Sequence, residues 1–460
     1  MKKEILNLTL VILIGLMGCK NKTNTESKAI TKKENGKFGL IASFGDIPSI
    51  TYSSNNEIGV VFGNEESIYF SSSTDYGESF SKPLLVSSLK GLALGYSSGP
   101  EIAITKSNII ITAPNKDGNL YSWTKSIISE SWEGPFRIND VDKSAGENLS
   151  AITSSPDGKL YCTWIDTRFL EKTHNMNHSN STKKAETNHN EEKKVLDLNK
   201  MTPTGITYKE LFDKIGDIPK NATLNFHDDS EGNLLWVLLD NDRNALKAEN
   251  FKEFKKFRER NGNRIKPQGK IYIATSNDGG KSWSKSKLVY QSPDGSICEC
   301  CKPSISSDAK GGIYIMFRNN INGSRDLHIT KSMDNGETFT MPEKMGTGTW
   351  KIDGCPMDGG DLTISDKLGL ITAWQREGEI FIASDNDSEE QIGYGRSPSI
   401  SSNNKTTYMV YSKGEDIMAT NIKQLMPKKI GTGNFPKVLN LEKNTIYFWV
   451  NDNGVNYKKI

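Results

Sequence analysis

Three eight-residue segments of this chain share one spelling: Ser73-Thr-Asp75-Tyr-Gly77-Glu-Ser-Phe80, Ser276-Asn-Asp278-Gly-Gly280-Lys-Ser-Trp283 and Ser332-Met-Asp334-Asn-Gly336-Glu-Thr-Phe339. Each follows a run with strand character: Ser67–Phe70, Lys270–Ala274 and Leu327–Ile329. A signature repeated among short strands points to repeated structural units. The shared positions have separate physical tasks. The Asp carboxylate accepts backbone N–H groups inside a turn. The Gly adopts a backbone shape closed to side chains. The closing Phe or Trp buries a large apolar face between neighbouring sheets.

A second recurrence counts the units. Pro48-Ser-Ile50, Pro100-Glu-Ile102, Leu149-Ser-Ala-Ile152, Pro303-Ser-Ile305, Asp361-Leu-Thr-Ile364, Pro398-Ser-Ile400 and Pro436-Lys-Val438 each open a run followed by strand-like partners, such as Gly59–Phe62, Asn108–Thr112 and Tyr408–Tyr411. Seven starts predict an all-β chain folded as a seven-bladed β-propeller. Six blades is the alternative, should the weaker units near Asp361 and Pro398 be one. The last unit offers three strands, and Phe38–Ser43 supplies a fourth from the other end of the domain. That pairing closes the ring and removes a free sheet edge.

The octet resembles the Asp box, or BNR repeat, of sialidase-like β-propellers. The resemblance covers most of residues 37–460 at the level of architecture. It implies that the boxes sit at blade edges away from the ligand face, so they are read as folding staples rather than catalytic motifs. Cys298-Glu-Cys300-Cys301, followed downstream by Gly354-Cys355-Pro356, is similar to a branch of bacterial sialidase-like lipoproteins.

At the N-terminus, Met1-Lys-Lys precedes an apolar run ending Leu16-Met-Gly-Cys19. The run is too short to span a bilayer and fits a secretory segment. Its end resembles a lipobox, which implies cleavage before Cys19 and lipid attachment there. Residues 1–19 are therefore read as a lipoprotein signal peptide and 20–36 as a flexible tether. The expected location is the cell envelope, on a bacterial membrane, with the outer membrane or cell surface favoured over the inner membrane. The formal net charge is only +2, which gives no footprint for nucleic acid. A monomer is expected.

The propeller is divided as 37–168, covering blades 1–3 in part, and 267–460. Residues 169–266 form an insertion in the third blade. Thr173–Lys200 is Asn-, Lys- and His-rich and is read as disordered. Beyond it, Tyr208–Ile215 and Leu246–Arg260 read as helical around an apolar run, Leu234–Leu239, making a small lid-like subdomain.

Loops that enter inner strands, and loops between second and third strands, gather on one face of a propeller around its axis. Two of them hold Cys298, Cys300, Cys301 and Cys355, four of the five cysteines that follow Cys19. The fifth, Cys162, lies in a strand and reads as core. Disulfides are one reading, since the compartment is oxidising. A soft-metal site is the other: thiolates with Met357 nearby, and His174, Met176 and His178 on the insertion, suit copper or zinc. No cofactor follows with certainty from the sequence.

Arginine supplies a second constellation on the same face: Arg168 beside Asp166, Arg318, Arg325 beside Asp326, Arg376 and Arg396. Guanidinium forks bind carboxylates, and a local Asp or Glu competes for each of them. The resemblance implies, for a sialidase, an Arg triad, a Tyr nucleophile with a Glu partner and an Asp acid/base. Candidates are Arg318, Arg325 and Arg396, with Tyr394 or Tyr96, and Asp326. The family's opening Arg-Ile-Pro motif is missing, and no Arg lies between Cys19 and Arg137. Two functions follow. One is a membrane-anchored binding propeller for a carboxylated glycan or a soft metal ion. The alternative is an exo-α-sialidase, a glycoside hydrolase releasing terminal sialic acid.

Overall fold

The structure, a computed structural model, describes residues 36–53, 57–168, 198, 207–217, 223–228, 234–239, 245–249, 269–294, 296–352, 356–384 and 389–460. Expectations placed on Cys19, Cys355, His174, Met176 and His178, and on the signal peptide and nearly all of Thr173–Lys200, lie outside the described residues.

Seven four-stranded antiparallel sheets make the seven blades. Their inner strands are Asp46–Tyr52, Glu101–Ile104, Ser150–Ser154, Ser304–Ser307, Asp361–Ser365, Arg396–Ser402 and Asn434–Asn440, one at each of the seven starts. In six blades the four strands follow one another in chain order. In the seventh, Lys37–Ala42 pairs with Gly454–Lys459 as the outermost strand. The N-terminal end of the propeller thus completes the sheet that its C-terminal end begins, as the sequence predicts.

Second strands explain why the blades stack. Ile58–Gly63 is buried at every position, because each face of a blade meets a neighbour and alternation with water gives way to a continuous apolar run. Each junction between adjacent blades has its own apolar cluster. Phe62 and Phe448 join the seventh and first blades, Phe70 and Trp123 the first and second, and Tyr161 and Phe317 the third and fourth.

The three octets take the conformation their spelling implies. In the first, Ser79 N–H donates to Asp75 Oδ1 (3.0 Å), Ser79 Oγ to Asp75 Oδ2 (2.6 Å) and Gly77 N–H to Ser73 Oγ (2.9 Å). Asp278 and Asp334 repeat the pattern. These bonds hold the Asp75 carboxyl far below the usual carboxylate range. The closing aromatics reach across junctions. Phe80 meets Tyr457 edge-on at 4.8 Å, and Trp283 Nε1 donates to Ser122 Oγ at 2.9 Å. All three octets connect third strands to outer strands. They therefore lie at the end of the propeller opposite the loops that enter the inner strands.

The insertion leaves the third blade after its second strand and returns before Lys270–Ser276. It carries a helix, Tyr208–Ile215, closed at its start by a Thr207–Glu210 capping box, and a three-stranded sheet of Thr223–Asp228, Leu234–Leu239 and Ala245–Ala248. Leu211 and Ile215 bury against Trp236 and Leu238. The helix expected at Leu246–Arg260 is corrected at its start, where Ala245–Ala248 is a strand. Lys247 pairs with Leu238, so cross-strand pairing with an apolar neighbour outweighs local helical preference.

Candidate functional site at the propeller hub

The loops entering the inner strands interlock around the axis. Lys302, after the cysteines, forms an ion pair with Glu101 of the second blade, and Ser49 Oγ of the first donates to the same carboxylate at 3.0 Å. Tyr96 shares a 2.8 Å hydroxyl contact with Ser397 of the sixth blade. Asp358, entering the fifth blade, accepts the Ser397 N–H at 2.7 Å. Gly359 packs backbone to backbone on Lys302, and a Cβ there would overlap the Lys302 carbonyl oxygen. The hub is thus stitched by main chain and polar side chains.

Three sulfurs sit in this frame. The Cys298, Cys300 and Cys301 sulfurs form a triangle with edges of 3.7, 3.6 and 3.9 Å. Cys298 and Cys301 are free thiols, 2 % and 0 % exposed, while Cys300 is half-buried and disulfide-bonded. Its disulfide partner is not among the described residues. The backbone fixes the triangle: Cys298 N–H donates to Arg318 O (2.9 Å), and Cys301 N–H to Cys298 O (3.4 Å). Burial pushes the Cys301 thiol up. The Cys298 hydrogen bond, the Arg318 charge and the Asp358 N–H outweigh it and bring the thiol down to about 7. Cys298 moves the opposite way, held protonated by its bond to Cys301 and by burial. Cys162 is buried in the third blade as a free thiol.

The arginines divide sharply. Arg318, 1 % exposed, is a cross-beam. Its Nε and Nη2 donate to Asp358 O (3.0 and 2.8 Å), Nη2 also to Gln375 O (2.9 Å), and Nη1 to Arg325 O (2.5 Å). It spans two blades and ties the Arg325 loop of the fourth to the Asp358 loop entering the fifth. Arg168 grips Asp166 through Nε and Nη2, both at 2.8 Å, and stacks over Tyr272. Arg376 grips Glu389 (2.7 and 2.5 Å) over Phe381. Asp326 accepts the Trp350 N–H at 2.8 Å and pairs with Lys344 at 3.4 Å. Arg396 is exposed over the Tyr96 ring. Arg325 is half-buried with its Nε unbonded among the described residues. Tyr394 is 59 % exposed and Met357 47 %.

A carboxyl pair escaped the sequence reading. Burial first, then the charge of Glu299, lifts Glu147 to about 7, and burial raises Glu299 as well. Both lie on loops entering adjacent inner strands. Asp358, Gly359 and Lys302 were also missed as organisers of the hub, although each adjoins a cysteine loop. For Asp358 and Gly359 the short-range sequence signal was the Asp358-Gly-Gly-Asp361 run.

Together the blades and hub define a seven-bladed β-propeller with a sulfur-bearing axial face. No family model matches this chain, and no curated protein matches it significantly. Solved structures with a similar path include a protein of unknown function from Dyadobacter fermentans (15 % identity, covering 92 % of this chain and 97 % of that one, TM-score 0.38). An α-L-arabinanase from Penicillium chrysogenum is similar at 9 % identity, with 91 % and 95 % covered and a TM-score of 0.40. A leech intramolecular trans-sialidase is similar at 10 % identity, with 92 % and 91 % covered and a TM-score of 0.39. At these identities and scores the likeness is one of fold, and it assigns no activity.

Proposed function

We propose that this propeller is an envelope-anchored binding protein for a soft metal ion, Cu(I) ahead of Zn(II), held at the hub by Cys298 and Cys301. Cys300 joins them once its disulfide is opened. The observation that carries this reading is the sulfur triangle. Thiolates each ~2.3 Å from one shared ion stand ~3.8 Å apart, and the three edges bracket that value. Soft sulfur donors select Cu(I) and Zn(II) over hard cations. The lipobox supports anchoring through Cys19. The exo-sialidase reading draws less support, because Arg318, Arg168, Arg376 and Asp326 are engaged within the protein and the Tyr96 hydroxyl faces Ser397.

The test uses the full chain carrying Cys19→Ser, expected to move from the membrane fraction to the soluble extract; retention in the membrane would sink the anchor. Cu(I) is then titrated against a chromogenic chelator, with and without a phosphine reductant. One equivalent is expected to bind, more tightly after reduction. Cys298→Ser or Cys301→Ser should weaken binding at least ~tenfold, since even supporting groups around metal ligands contribute about that much. A chain that never competes with the chelator in either redox state overturns the reading.

A further inference from the structure

Exposed apolar side chains gather at the octet end of the propeller, opposite the hub. Among the described residues the four most exposed large hydrophobic side chains are Ile128 (93 %), Met341 (81 %), Met426 (71 %) and Met333 (66 %). All four lie on loops that join a third strand to an outer strand. Ile128 stands between Asn119–Ser126 and Glu133–Arg137, Met333 and Met341 between Leu327–Ser332 and Glu343–Lys344, and Met426 between Asp416–Asn421 and Lys428–Thr432. These are the second, fourth and sixth blades, so the loops are spread around the ring like three feet. A single exposed Met or Ile is ordinary on a protein surface. Here the four stand at one end, while no large apolar side chain described at the hub end exceeds the 59 % of Tyr394. The chain that precedes the propeller joins at the same end. Lys37 opens the outermost strand of the seventh blade, pairs with Lys459 at the end of the third strand and reaches Glu78 in the first octet. Phe38, next in exposure, follows it. Residues 20–36 can span at most ~60 Å. A lipid on Cys19 therefore holds this end within that distance of a bilayer, and confinement of that kind makes weak contacts count.

We infer that the octet end is the membrane face of this protein: Ile128, Met333, Met341 and Met426 enter the interface of a phospholipid bilayer, and the hub opens to the aqueous side. Aliphatic and thioether side chains gain free energy on leaving water, and the flexible Met side chain adapts to irregular apolar surroundings. Contact of this kind stays at the boundary between headgroups and acyl chains. The octet suits its loop to that place. In the fourth blade Thr338 N–H donates to Asp334 Oδ1 at 2.8 Å and Gly336 N–H to Ser332 Oγ at 2.9 Å. Met333 is thus presented by a turn already bonded within itself, which lowers the cost of bringing its backbone near lipid. Three points of contact define a plane, so the ring lies parallel to the bilayer and its axis stands upright. The sulfur-bearing hub then faces away from lipid, where solutes reach it.

The apolar loops are a finding of the fold; their nearness to a bilayer rests on the reading of Cys19 as a lipid anchor, and neither depends on metal at the hub. In the experiment the full chain is reconstituted into vesicles of phosphatidylethanolamine and phosphatidylglycerol that carry a phospholipid with a photoactivatable group on its acyl chain. The sample is irradiated and digested, and adducts are mapped by mass spectrometry. The same digest shows whether Cys19 bears lipid. Adducts are expected on the peptides holding Ile128, Met333, Met341 and Met426, and not on those holding Met357 or Tyr394 at the hub end. They should persist at about 1 M salt, where charge contacts are screened within ~3 Å. A combined variant, Ile128→Ser with Met333→Ser, Met341→Ser and Met426→Ser, changes only exposed side chains and should keep the near-ultraviolet circular dichroism of wild type. Its adducts on these loops should fall at least ~tenfold, the order that burial of one such side chain commands. Unlabelled loops overturn the membrane face, whether they are bare or covered by a second copy, and a lipid on Cys19 in that chain leaves the anchor standing. Labelled loops on a chain without lipid at Cys19 sink the anchor and uphold the face. Adducts at the hub end, adducts that vanish at high salt, or adducts that the combined variant keeps, overturn the inference.

Discussion

Among the described residues no opposite charge offsets Glu147, and its environment decides how it behaves. Burial and the neighbouring Glu299 charge lift it from an ordinary value of 4.5 to about 7. The fold therefore prefers the protonated carboxyl. Its contribution to stability is full below about pH 4.5 and is lost as pH rises through about 7. Wild type should lose about 1–3 kcal/mol between pH 5 and pH 8 relative to Glu147→Gln, the range allowing for partial solvent access to this side chain. Urea denaturation of both proteins at the two pH values measures it, and parallel curves at both would refute the argument. Little of this was legible from sequence. Residue type does not say which loops of distant blades become neighbours, and the Glu147–Glu299 pair is made by the third and fourth blades meeting. Arg318 teaches the same point from the other side. Its residue type suits an outside carboxylate, yet the fifth blade places the carbonyls of Asp358 and Gln375 within its reach first.

Among the elements, the octet is the unit whose energetics can be isolated. Gly77 sits at φ +78°, and a Cβ there would overlap Ile446 of the seventh blade. Gly378 has a comparable φ of +83° in a hairpin turn with open space around it. Gly378→Ala should cost about 1 kcal/mol, the left-handed backbone penalty alone. Gly77→Ala should cost about 2–4 kcal/mol, because the overlap at a packed junction adds to that penalty. Denaturant midpoints of the two variants compare them. Equal losses would mean that the octet does not staple the first blade to the seventh. At this scale the sequence was informative, because the octets and blade starts are local patterns with local causes: turn hydrogen bonds, left-handed glycines and doubly buried strands. The insertion was read less well. Its first helix carries its own stop and start signals, Thr207, Glu210 and Gly216. Ala245–Ala248 owes its strand to a neighbour at Leu234–Leu239 that only the fold brings alongside.

At the scale of the whole molecule, a ring of blades is only as cooperative as its last junction. Seven sheets in a line would expose two broad apolar faces; the circle covers both, and the outermost strand of the seventh blade fastens it. Lys37–Ala42 contributes five paired positions to Gly454–Lys459, buries Ile41 and Ala42 in the cluster shared with the first blade, and sets Phe38 edge-on to Trp449 at 6.3 Å. Lys37 and Lys459 both reach Glu78 in the first octet, but these pairs are exposed and add little. The ladder is the larger part: about five hydrogen bonds at a net ~0.5–1.5 kcal/mol each come to about 3–7 kcal/mol. Deleting residues 37–42 should therefore lower the unfolding free energy by that order. It should also leave Gly454–Lys459 as a bare edge prone to pairing between molecules. Calorimetry and light scattering on the deleted chain measure both effects. An unchanged, cooperative, monomeric transition would show that the ring holds without its fastening strand. A ring that opens at this junction should also lose the hub alignment on which the sulfur triangle depends, so Cu(I) binding should fall along with stability.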